Sequence, residues 1–291
     1  TGFVGREVVE RLMQEGHVVR VISRGTRPPS AGPEWVRGSV LDARSLPAAF
    51  RDCHAVVHLV GIIGEIGEQT FERVHVEGTR NVIAACHAAG VSRLMHMSAL
   101  GSRPGARSRY HQSKWAAEES VRDGGLRWTI FRPSLIYGRG DGFVTLFARF
   151  ARWSPVLPVL GPGTQRFQPV AVGEVARCFA AAPGIPESVG CTVDVCGPER
   201  LTMNAILESL LAATGRNRPL LHLPWGIAGL QAGLLEAVVP RLLGKASPLN
   251  RDQVLMLQED NVGDPGPATR LFGLEPVSFA EGIRRFLIPG P

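Results

Sequence analysis

Up to about residue 140, the chain alternates between two patterns of apolar positions. Short runs rich in Val, Ile and Leu are typical of buried strands, and stretches with an apolar residue every three or four positions are typical of amphipathic helices. The predicted strands are residues 18–23, 35–40, 55–61, 93–98 and 128–132, and the predicted helices are residues 4–15, 45–50, 71–89 and 110–122. This alternation predicts an α/β fold, a doubly wound parallel Rossmann sheet with its ligand at the carboxyl ends of the strands.

The remainder of the chain follows a looser pattern. It contains a proline-rich stretch at residues 154–169 and a strand-like run at residues 167–172. Three helical segments are predicted at residues 174–182, 203–214 and 225–244. We therefore predict a Rossmann domain over residues 1–172. A smaller C-terminal substrate or interaction region follows over residues 173–291, and the pattern leaves open that some of its segments return to the sheet.

The composition is that of a globular protein. Of 291 residues, 44% are hydrophobic and 20% are charged, which excludes wholesale disorder. The net charge is +6, but the basic residues are scattered, so we expect no nucleic-acid partner. The five cysteines form no C-x-x-C pair and the histidines show no zinc-site spacing, so we expect no metal and a reducing, cytoplasmic compartment.

The apolar segment 225–244 bears on the membrane question. It is interrupted by Gln231, Glu236 and Arg241, so it lacks the roughly 18 uninterrupted apolar residues of a membrane span. A helix packed on its own domain is the favoured interpretation. Trp225 at the start of the segment and Lys245 beyond its end leave a peripheral position at the inner face of the membrane open.

The first five residues carry half of a nucleotide-binding pattern. Gly2 and Gly5 have the spacing of the last two glycines of the dinucleotide fingerprint, in which glycines allow a tight turn and helix amides bind the pyrophosphate. We therefore expect Gly2, Phe3, Val4 and Gly5 to bind a dinucleotide, although the same spacing also fits a plain helix start. The chain begins at Thr1, and we expect the first strand and the first glycine to precede it.

Two further positions concern the choice of cofactor. Arg24 follows the strand at residues 18–23, where an acidic residue would bind a ribose hydroxyl and an arginine fits a 2′-phosphate. The sequence thus favours NADP(H), with NAD(H) also possible, unless Arg24 and Arg27 are solvated loop residues. Asp42 follows the next strand and either reaches the adenine amino group or forms a turn.

A phenol and an ammonium group are placed for proton transfer. Tyr110 and Lys114 are four residues apart on a predicted helix and therefore share a face. A nearby lysine would lower the pKa of the phenol and hold the nicotinamide ribose, so that Tyr110 exchanges a proton with a substrate oxygen while hydride moves.

With these motifs, nearly the whole chain resembles the short-chain dehydrogenase/reductase superfamily. The resemblance is to its extended or atypical kind, which includes epimerase/dehydratase-like proteins, and especially to bacterial relatives of the NADPH-binding accessory subunit of respiratory complex I. It is carried by Thr1-Gly2-Phe3-Val4-Gly5, His58-Leu59-Val60-Gly61, Val76-Glu77-Gly78-Thr79-Arg80-Asn81-Val82, His96-Met97-Ser98-Ala99-Leu100-Gly101, Tyr110 to Lys114, Phe131-Arg132-Pro133-Ser134 with Tyr137-Gly138, Phe167-Gln168-Pro169-Val170 and Asp260-Asn261-Val262.

This resemblance implies roles for further residues. Val60, Gly61 and Lys114 would line the cofactor, together with Pro133, Ser134 and Leu135. Tyr110 would be the proton donor or acceptor. Ser98 would orient the substrate oxygen, with Ser102 as a second candidate for that position.

The resemblance leaves two functions open. The chain has His75 where many relatives carry a catalytic asparagine, although Asn81 stands in the following turn. The first hypothesis is an oxidoreductase or epimerase-like enzyme that acts on a carbonyl or alcohol of unknown identity. The second is a non-catalytic, NADPH-holding structural or assembly protein of a respiratory or quinone-synthesis complex. The sequence does not predict the oligomeric state.

Overall fold

The computed structural model describes residues 2–25 and 32–287. Its α-helices are α1 (Phe3–Gln14), α2 (Leu46–Phe50), α3 (Gly78–Ala89), α4 (Arg109–Asp123), α5 (Val144–Trp153), α6 (Val172–Ala181), α7 (Met203–Ala213), α8 (Trp225–Leu243), α9 (Arg251–Met256), α10 (Gly266–Phe272) and α11 (Phe279–Leu287). Its strands are β1 (Arg20–Ser23), β2 (Glu34–Arg37), β3 (Ala55–His58), β4 (Arg93–Met97), β5 (Arg127–Pro133), β6 (Ile136–Tyr137), β7 (Leu157–Leu160), β8 (Arg166–Phe167), β9 (Val170–Ala171), β10 (Cys191–Val195), β11 (Leu201–Thr202) and β12 (Leu220–Leu223).

The central sheet is parallel, and it confirms the predicted Rossmann fold. Four strands pair in the order β10-β5-β4-β3, and β1 pairs with β2 in a separate parallel ladder. Helix α1 packs in one apolar cluster with Val57 of β3 and Val19 beside β1. The cluster therefore joins the two ladders through side chains. No ladder of hydrogen bonds joins β1 to β3 among the described residues.

Strand β10 extends the sheet beyond residue 172. It pairs with β5 so that Val193 lies opposite Phe131, and both side chains are buried. This is the return to the sheet that the sequence left open, and the domain boundary at residue 172 stays a prediction. A second apolar cluster forms under α5, α7 and α11, where Leu157, Ile206 and Ile283 are buried.

The structure corrects three details of the predicted elements. The strand expected over residues 167–172 is broken between β8 and β9, because Pro169 has no amide hydrogen to donate to a ladder. The helix expected over residues 71–89 begins with a π-helical segment, Glu72–Glu77, before α3. Helix α8 is not packed along its length, since Ala228 and Ala232 are its buried residues.

A buried ion pair fixes α4 on the sheet. The carboxylate of Glu118 is fully buried and accepts two hydrogen bonds from Arg132 of β5, at 2.8 and 2.6 Å. Arg122, one turn along α4, donates to the same carboxylate at 2.5 Å. The guanidinium groups of both arginines lie over the ring of Trp115. Because a carboxylate without partners is costly to bury, these contacts define how α4 lies on β5.

We predict that Glu118→Gln lowers the free energy of unfolding by about 3 kcal/mol, because it leaves two arginines without a buried counter-charge. Chemical denaturation followed by circular dichroism measures the change. Glu119→Gln is the matched control, since the Glu119 side chain is half-exposed and its pair with Arg122 is at the surface. Equal losses in both variants would show that Glu118 is not the anchor.

Candidate functional site

Lys114 lies buried beneath the carboxyl end of β4. Its Nζ donates a hydrogen bond to the carbonyl oxygen of Met97, the last residue of that strand, at 2.8 Å. Burial lowers the pKa of Lys114 to about 8, and the negative charge of Glu118 opposes that shift. The ammonium form therefore predominates at pH 7, with further N–H groups to donate.

Tyr110 lies one turn before Lys114, among other rings. The ring centroids of Phe71, His75 and His111 are 5.9, 5.5 and 5.3 Å from its own. Burial raises the pKa of Tyr110 to about 12, whereas the sequence led us to expect that Lys114 lowers it. The expectation is wrong for this structure, because the apolar surroundings dominate and the ammonium of Lys114 points to Met97.

Asp252 of α9 fixes the start of α4. Its two carboxylate oxygens accept hydrogen bonds from the backbone amides of Arg109 and Tyr110, at 2.7 and 2.8 Å. These amides belong to the first turn of the helix, where they have no partner within the helix and where a negative charge is stabilised. Asp252 was not predicted from the sequence, since it stands in no recognisable motif and lies 142 residues from Tyr110.

His75 connects the loop after β3 to α4. Its Nε2 accepts a hydrogen bond from the amide of Ile62 at 3.0 Å, so its Nδ1 carries the hydrogen and donates to Oγ of Ser113 at 2.8 Å. Ser113 in turn donates to the carbonyl oxygen of Tyr110 at 2.7 Å. Burial, reinforced by the charge of Lys114, lowers the pKa of His75 to about 2. A neutral His75 thus helps to position the start of α4, which carries Tyr110. From the sequence, His75 was noted only as a replacement for the asparagine that many relatives carry.

At Gly61 the backbone of the loop after β3 comes close to Lys114 of α4. A Cβ atom at this position would lie 3.2 Å from Nζ of Lys114 and 3.4 Å from Nε2 of His75. On the other side of the same loop, a Cβ on Gly5 would lie 3.9 Å from Cδ1 of Leu59. The start of α1, the loop through Gly61 and Lys114 therefore follow one another along the carboxyl edge of the sheet.

The start of α1 is open to an anion. Gly2 is exposed in an extended conformation before the helix, and no acidic residue stands in the first turn. The amides of Phe3, Val4 and Gly5 are the first three of the helix and have no acceptor within it. A dinucleotide fits this edge, because helix amides stand at one end for its pyrophosphate and the Lys114 ammonium stands at the other.

The other predicted cofactor residues are engaged within the protein. The hydroxyl of Ser134 is buried and donates to Oδ1 of Asn261 at 2.7 Å, while Nδ2 of Asn261 donates to the carbonyl oxygen of Leu100 at 2.9 Å. Pro133 is buried and Leu135 is partly buried. Through these contacts, residues 133–135 connect the loop at Leu100 to the segment at Asn261. Their contact with a cofactor stays a prediction.

The candidate serines form a pair. Oγ of Ser98 donates to Oγ of Ser102 at 3.2 Å, and both residues are buried. The amide of Ser98 also donates to the carbonyl oxygen of Phe131, which continues the pairing of β4 with β5. The structure therefore brings the two alternatives together and does not select one of them.

Arg24 and Asp42, which we predicted to contact the adenosine part of the cofactor, lie at the surface. Nη1 of Arg24 donates to Oε1 of Gln69 at 2.9 Å, in a contact that is open to solvent. Oδ1 of Asp42 accepts from the amide of Arg44 at 3.2 Å, as a turn-forming aspartate does. Val60 is exposed in the loop after β3. Arg27 lies outside the described residues.

Two more histidines are buried beside this edge. His58 of β3 and His96 of β4 are opposite one another in the sheet, with ring centroids 5.1 Å apart. Burial lowers the pKa of His58 to about 3 and the pKa of His96 well below its ordinary value, and the charge of Lys114 adds to both shifts. Both ring nitrogens of His96 lack a hydrogen-bond partner in the described part of the chain. Within residues 2–25 and 32–287, no cluster of three or more side chains is arranged to hold a metal ion.

Fold and site together define an NAD(P)-binding Rossmann protein with polar residues at the carboxyl edge of its sheet. Residues 1–190 match the family described as NAD dependent epimerase/dehydratase family, and the chain belongs to that family.

Three curated relatives extend this assignment. The chain is 29% identical over 280 residues to NADH dehydrogenase [ubiquinone] 1 alpha subcomplex subunit 9 of Arabidopsis thaliana, covering 90% of the chain and 69% of that protein. It is 35% identical over 188 residues to ceramide reductase of Caulobacter vibrioides, covering 62% of the chain and 58% of that enzyme. It is 29% identical over 317 residues to 2-alkyl-3-oxoalkanoate reductase of Stenotrophomonas maltophilia, covering 98% of the chain and 95% of that enzyme. The predicted relationship to the superfamily and to its complex I branch is confirmed.

Solved structures agree with the fold. The UDP-glucose 4-epimerase of Thermotoga maritima superimposes with a TM-score of 0.77 at 20% identity, covering 97% of this chain and 94% of the epimerase. At this identity the likeness confirms the architecture alone.

We predict that the protein loses stability between pH 7 and pH 5. The folded-state pKa values of His58, His75 and His96 lie below the unfolded value of about 6.5, so the unfolded chain binds more protons as the pH falls. Above pH 7, each of the three histidines contributes about 2 kcal/mol to the free energy of unfolding. This contribution is lost as the pH falls to 5. Denaturant titrations at several pH values measure this loss.

His96→Met isolates one of the three contributions. It should reduce the loss between pH 7 and pH 5 by about 2 kcal/mol, since the His96 ring makes no hydrogen bond with the described residues that the substitution would remove. His54→Gln is the matched control, because the side chain of His54 is exposed. An unchanged pH dependence in His96→Met would contradict the assignment of the acid sensitivity to the buried histidines.

Proposed function

We propose that the protein is an NADP(H)-dependent oxidoreductase that reduces a carbonyl group on a largely apolar substrate. The observation that carries the proposal is the position of Tyr110 and Lys114. They lie one turn apart at the start of α4, where Lys114 lies next to Gly61 and in line with the start of α1. Family membership and the reductases among the relatives support it.

Each group of the site has a distinct role in this reaction. The nicotinamide, when bound, supplies the hydride. Lys114 is held by Met97 through one N–H and can donate its others to the hydroxyls of the cofactor ribose. The hydroxyl of Ser98, which here donates to Ser102, would turn its hydrogen to the carbonyl oxygen of the substrate. Tyr110 would give its phenolic proton to that oxygen as hydride reaches the carbon.

The raised pKa of Tyr110 favours the reductive direction. A phenol with a pKa of about 12 is protonated throughout the neutral range, so it is a proton donor and not a base in the free protein. The hydrogen-bond chain from Ile62 through His75 and Ser113 to the Tyr110 carbonyl holds the helix turn that presents the phenol.

An apolar groove close to this turn supports the substrate class. It has a volume of about 500 Å³ and is lined mainly by Trp225, Leu230, Val254 and Leu255, between α8 and α9. The same α9 carries Asp252, which holds the amide of Tyr110. A substrate with its carbonyl at Tyr110 could place an alkyl chain in this groove, which agrees with relatives that are named as reductases of an alkyl-oxoalkanoate and of ceramide.

A second function is favoured by a different observation. The relative from Arabidopsis thaliana is named as a subunit of NADH dehydrogenase. In this alternative the cofactor stabilises a subunit or assembly protein of a respiratory complex and does not turn over. The high pKa of Tyr110 would then be that of an ordinary buried tyrosine.

Tyr110→Phe distinguishes the two functions. We expect it to lower kcat for NADPH oxidation by about 10²- to 10⁴-fold in the presence of a 2-alkyl-3-oxoalkanoate, while NADPH binding followed by fluorescence is unchanged. Tyr137→Phe is the matched control, because Tyr137 is buried against Phe279 in the second apolar cluster. Tight NADPH binding without turnover in the unmodified protein, over a panel of alkyl ketones, would favour the structural function.

The cofactor preference has its own experiment. Parallel titrations should show NADPH bound roughly tenfold more tightly than NADH, and Arg24→Ala should remove most of that difference, as expected for the loss of one charge-assisted hydrogen bond. Arg80→Ala, an exposed arginine on α3, is the control. Equal affinity for the two cofactors in the unmodified protein would contradict the role given to Arg24.

A further inference from the structure

Helix α8 presents an apolar face that the rest of the described chain leaves uncovered. Ala228, Ala232 and Glu236, each four residues apart, mark the side turned toward the body. On the outer side, Leu230, Leu234 and Leu242 are 76%, 64% and 75% exposed, and Ile227 and Val238 extend the same stripe. Leucines exposed to this extent in a row are typical of a surface that meets another apolar phase.

The residues around this stripe are basic. Arg241 follows Val238 by one turn, and Lys245 comes two residues after the helix. The guanidinium of Arg251 lies against Gly233 on the side of the helix. Glu236 is the one acidic residue between positions 225 and 251, and it accepts a hydrogen bond from the amide of Arg251. An apolar stripe with cationic flanks is complementary to a bilayer that contains anionic lipids.

The segments before and after α8 are both bonded to the body of the protein, which favours a helix that lies on a membrane over one that crosses it. By length and composition α8 is long and apolar enough to cross. However, β12 before it pairs with β7, and Asn250 after it donates to the carbonyl oxygen of Ile63. Residues 244–250 reach at most about 24 Å, less than the roughly 30 Å of a bilayer core. The bond from Arg251 to Glu236 also holds the middle of the helix to the body.

We propose that the outer face of α8 binds the surface of an anionic lipid bilayer, with the helix axis in the plane of the membrane. The apolar stripe enters the boundary between headgroups and acyl chains, and Arg241, Lys245 and Arg251 contact lipid phosphates. This surface is separate from Tyr110 and Lys114, so the proposal holds whether the protein turns over a substrate or only holds its cofactor.

Co-sedimentation with vesicles tests the proposal. The protein should pellet with vesicles of phosphatidylcholine and phosphatidylglycerol, and less with phosphatidylcholine alone, and added salt should weaken the binding. Leu234→Gln with Leu242→Gln should lower the affinity at least roughly tenfold, because two exposed leucines no longer enter the bilayer. Arg241→Ala with Lys245→Ala should reduce the preference for anionic vesicles by several-fold.

The controls separate membrane binding from folding and from self-association. Met13→Gln with Val18→Gln replaces two exposed apolar residues of α1 and the following loop and should leave pelleting unchanged. Thermal unfolding and NADPH affinity of the α8 variants should match those of the unmodified protein.

Three results would overturn the proposal. One is no pelleting with either kind of vesicle. Another is pelleting that the leucine substitutions do not change. The third is a stable dimer in analytical ultracentrifugation that Leu234→Gln with Leu242→Gln dissociates, since the face would then join two copies of the chain. Failure of the Tyr110→Phe experiment would affect none of these measurements.

Discussion

The carboxylate of Glu118 is the interaction on which the site depends. It is fully buried between α4 and β5, where it accepts hydrogen bonds from Arg132 and Arg122, and it stands one turn from Lys114. A lysine can be buried as an ammonium only if nearby dipoles or charges favour that form. Here the Met97 carbonyl supplies the dipole and Glu118 the charge. The same carboxylate thus places the helix and keeps its lysine protonated.

Lys114 is positively charged, whereas the three histidines around it are neutral. His58, His75 and His96 all lie close enough for Lys114 to lower their pKa values, and burial has already made the three rings neutral. A neutral ring can accept a hydrogen bond, and His75 does so from Ile62. Acid conditions would instead force several positive charges into one buried region. The geometry that holds Tyr110 therefore requires neutral histidines, which links the stability of the fold to the pH range in which the site keeps its form.

Sequence patterns predicted the structural features that depend on residues close together in the chain. The strand and helix alternation gave the parallel sheet, because apolar spacing reflects burial directly, and the four-residue spacing of Tyr110 and Lys114 gave their shared helix face. Contacts between distant segments carried no such signal. Asp252 and Asn261 reach α4 and the loop at Leu100 across more than a hundred residues. The pKa of Tyr110 was misjudged for the same reason, since the rings of Phe71 and His75 that bury it come from another element.

Helices α8 and α9 together connect the exposed apolar stripe of α8 to the start of α4, where Tyr110 lies. Leu230 is exposed on the outer stripe and also lines the groove between the two helices, so the groove opens at the face that we assign to the bilayer. The short α9 is tied to two parts of the site, because Asn250 caps it and bonds to Ile63, and Asp252 holds the start of α4. In the proposed function, an alkyl chain that enters beside Leu230 would lie against α9, whose Asp252 holds the amide of Tyr110. If both proposals hold, the alkyl chain of a substrate would pass from the bilayer into the groove with little exposure to water. Exposure of an alkyl chain to water is the main free-energy cost of taking a lipid out of a membrane.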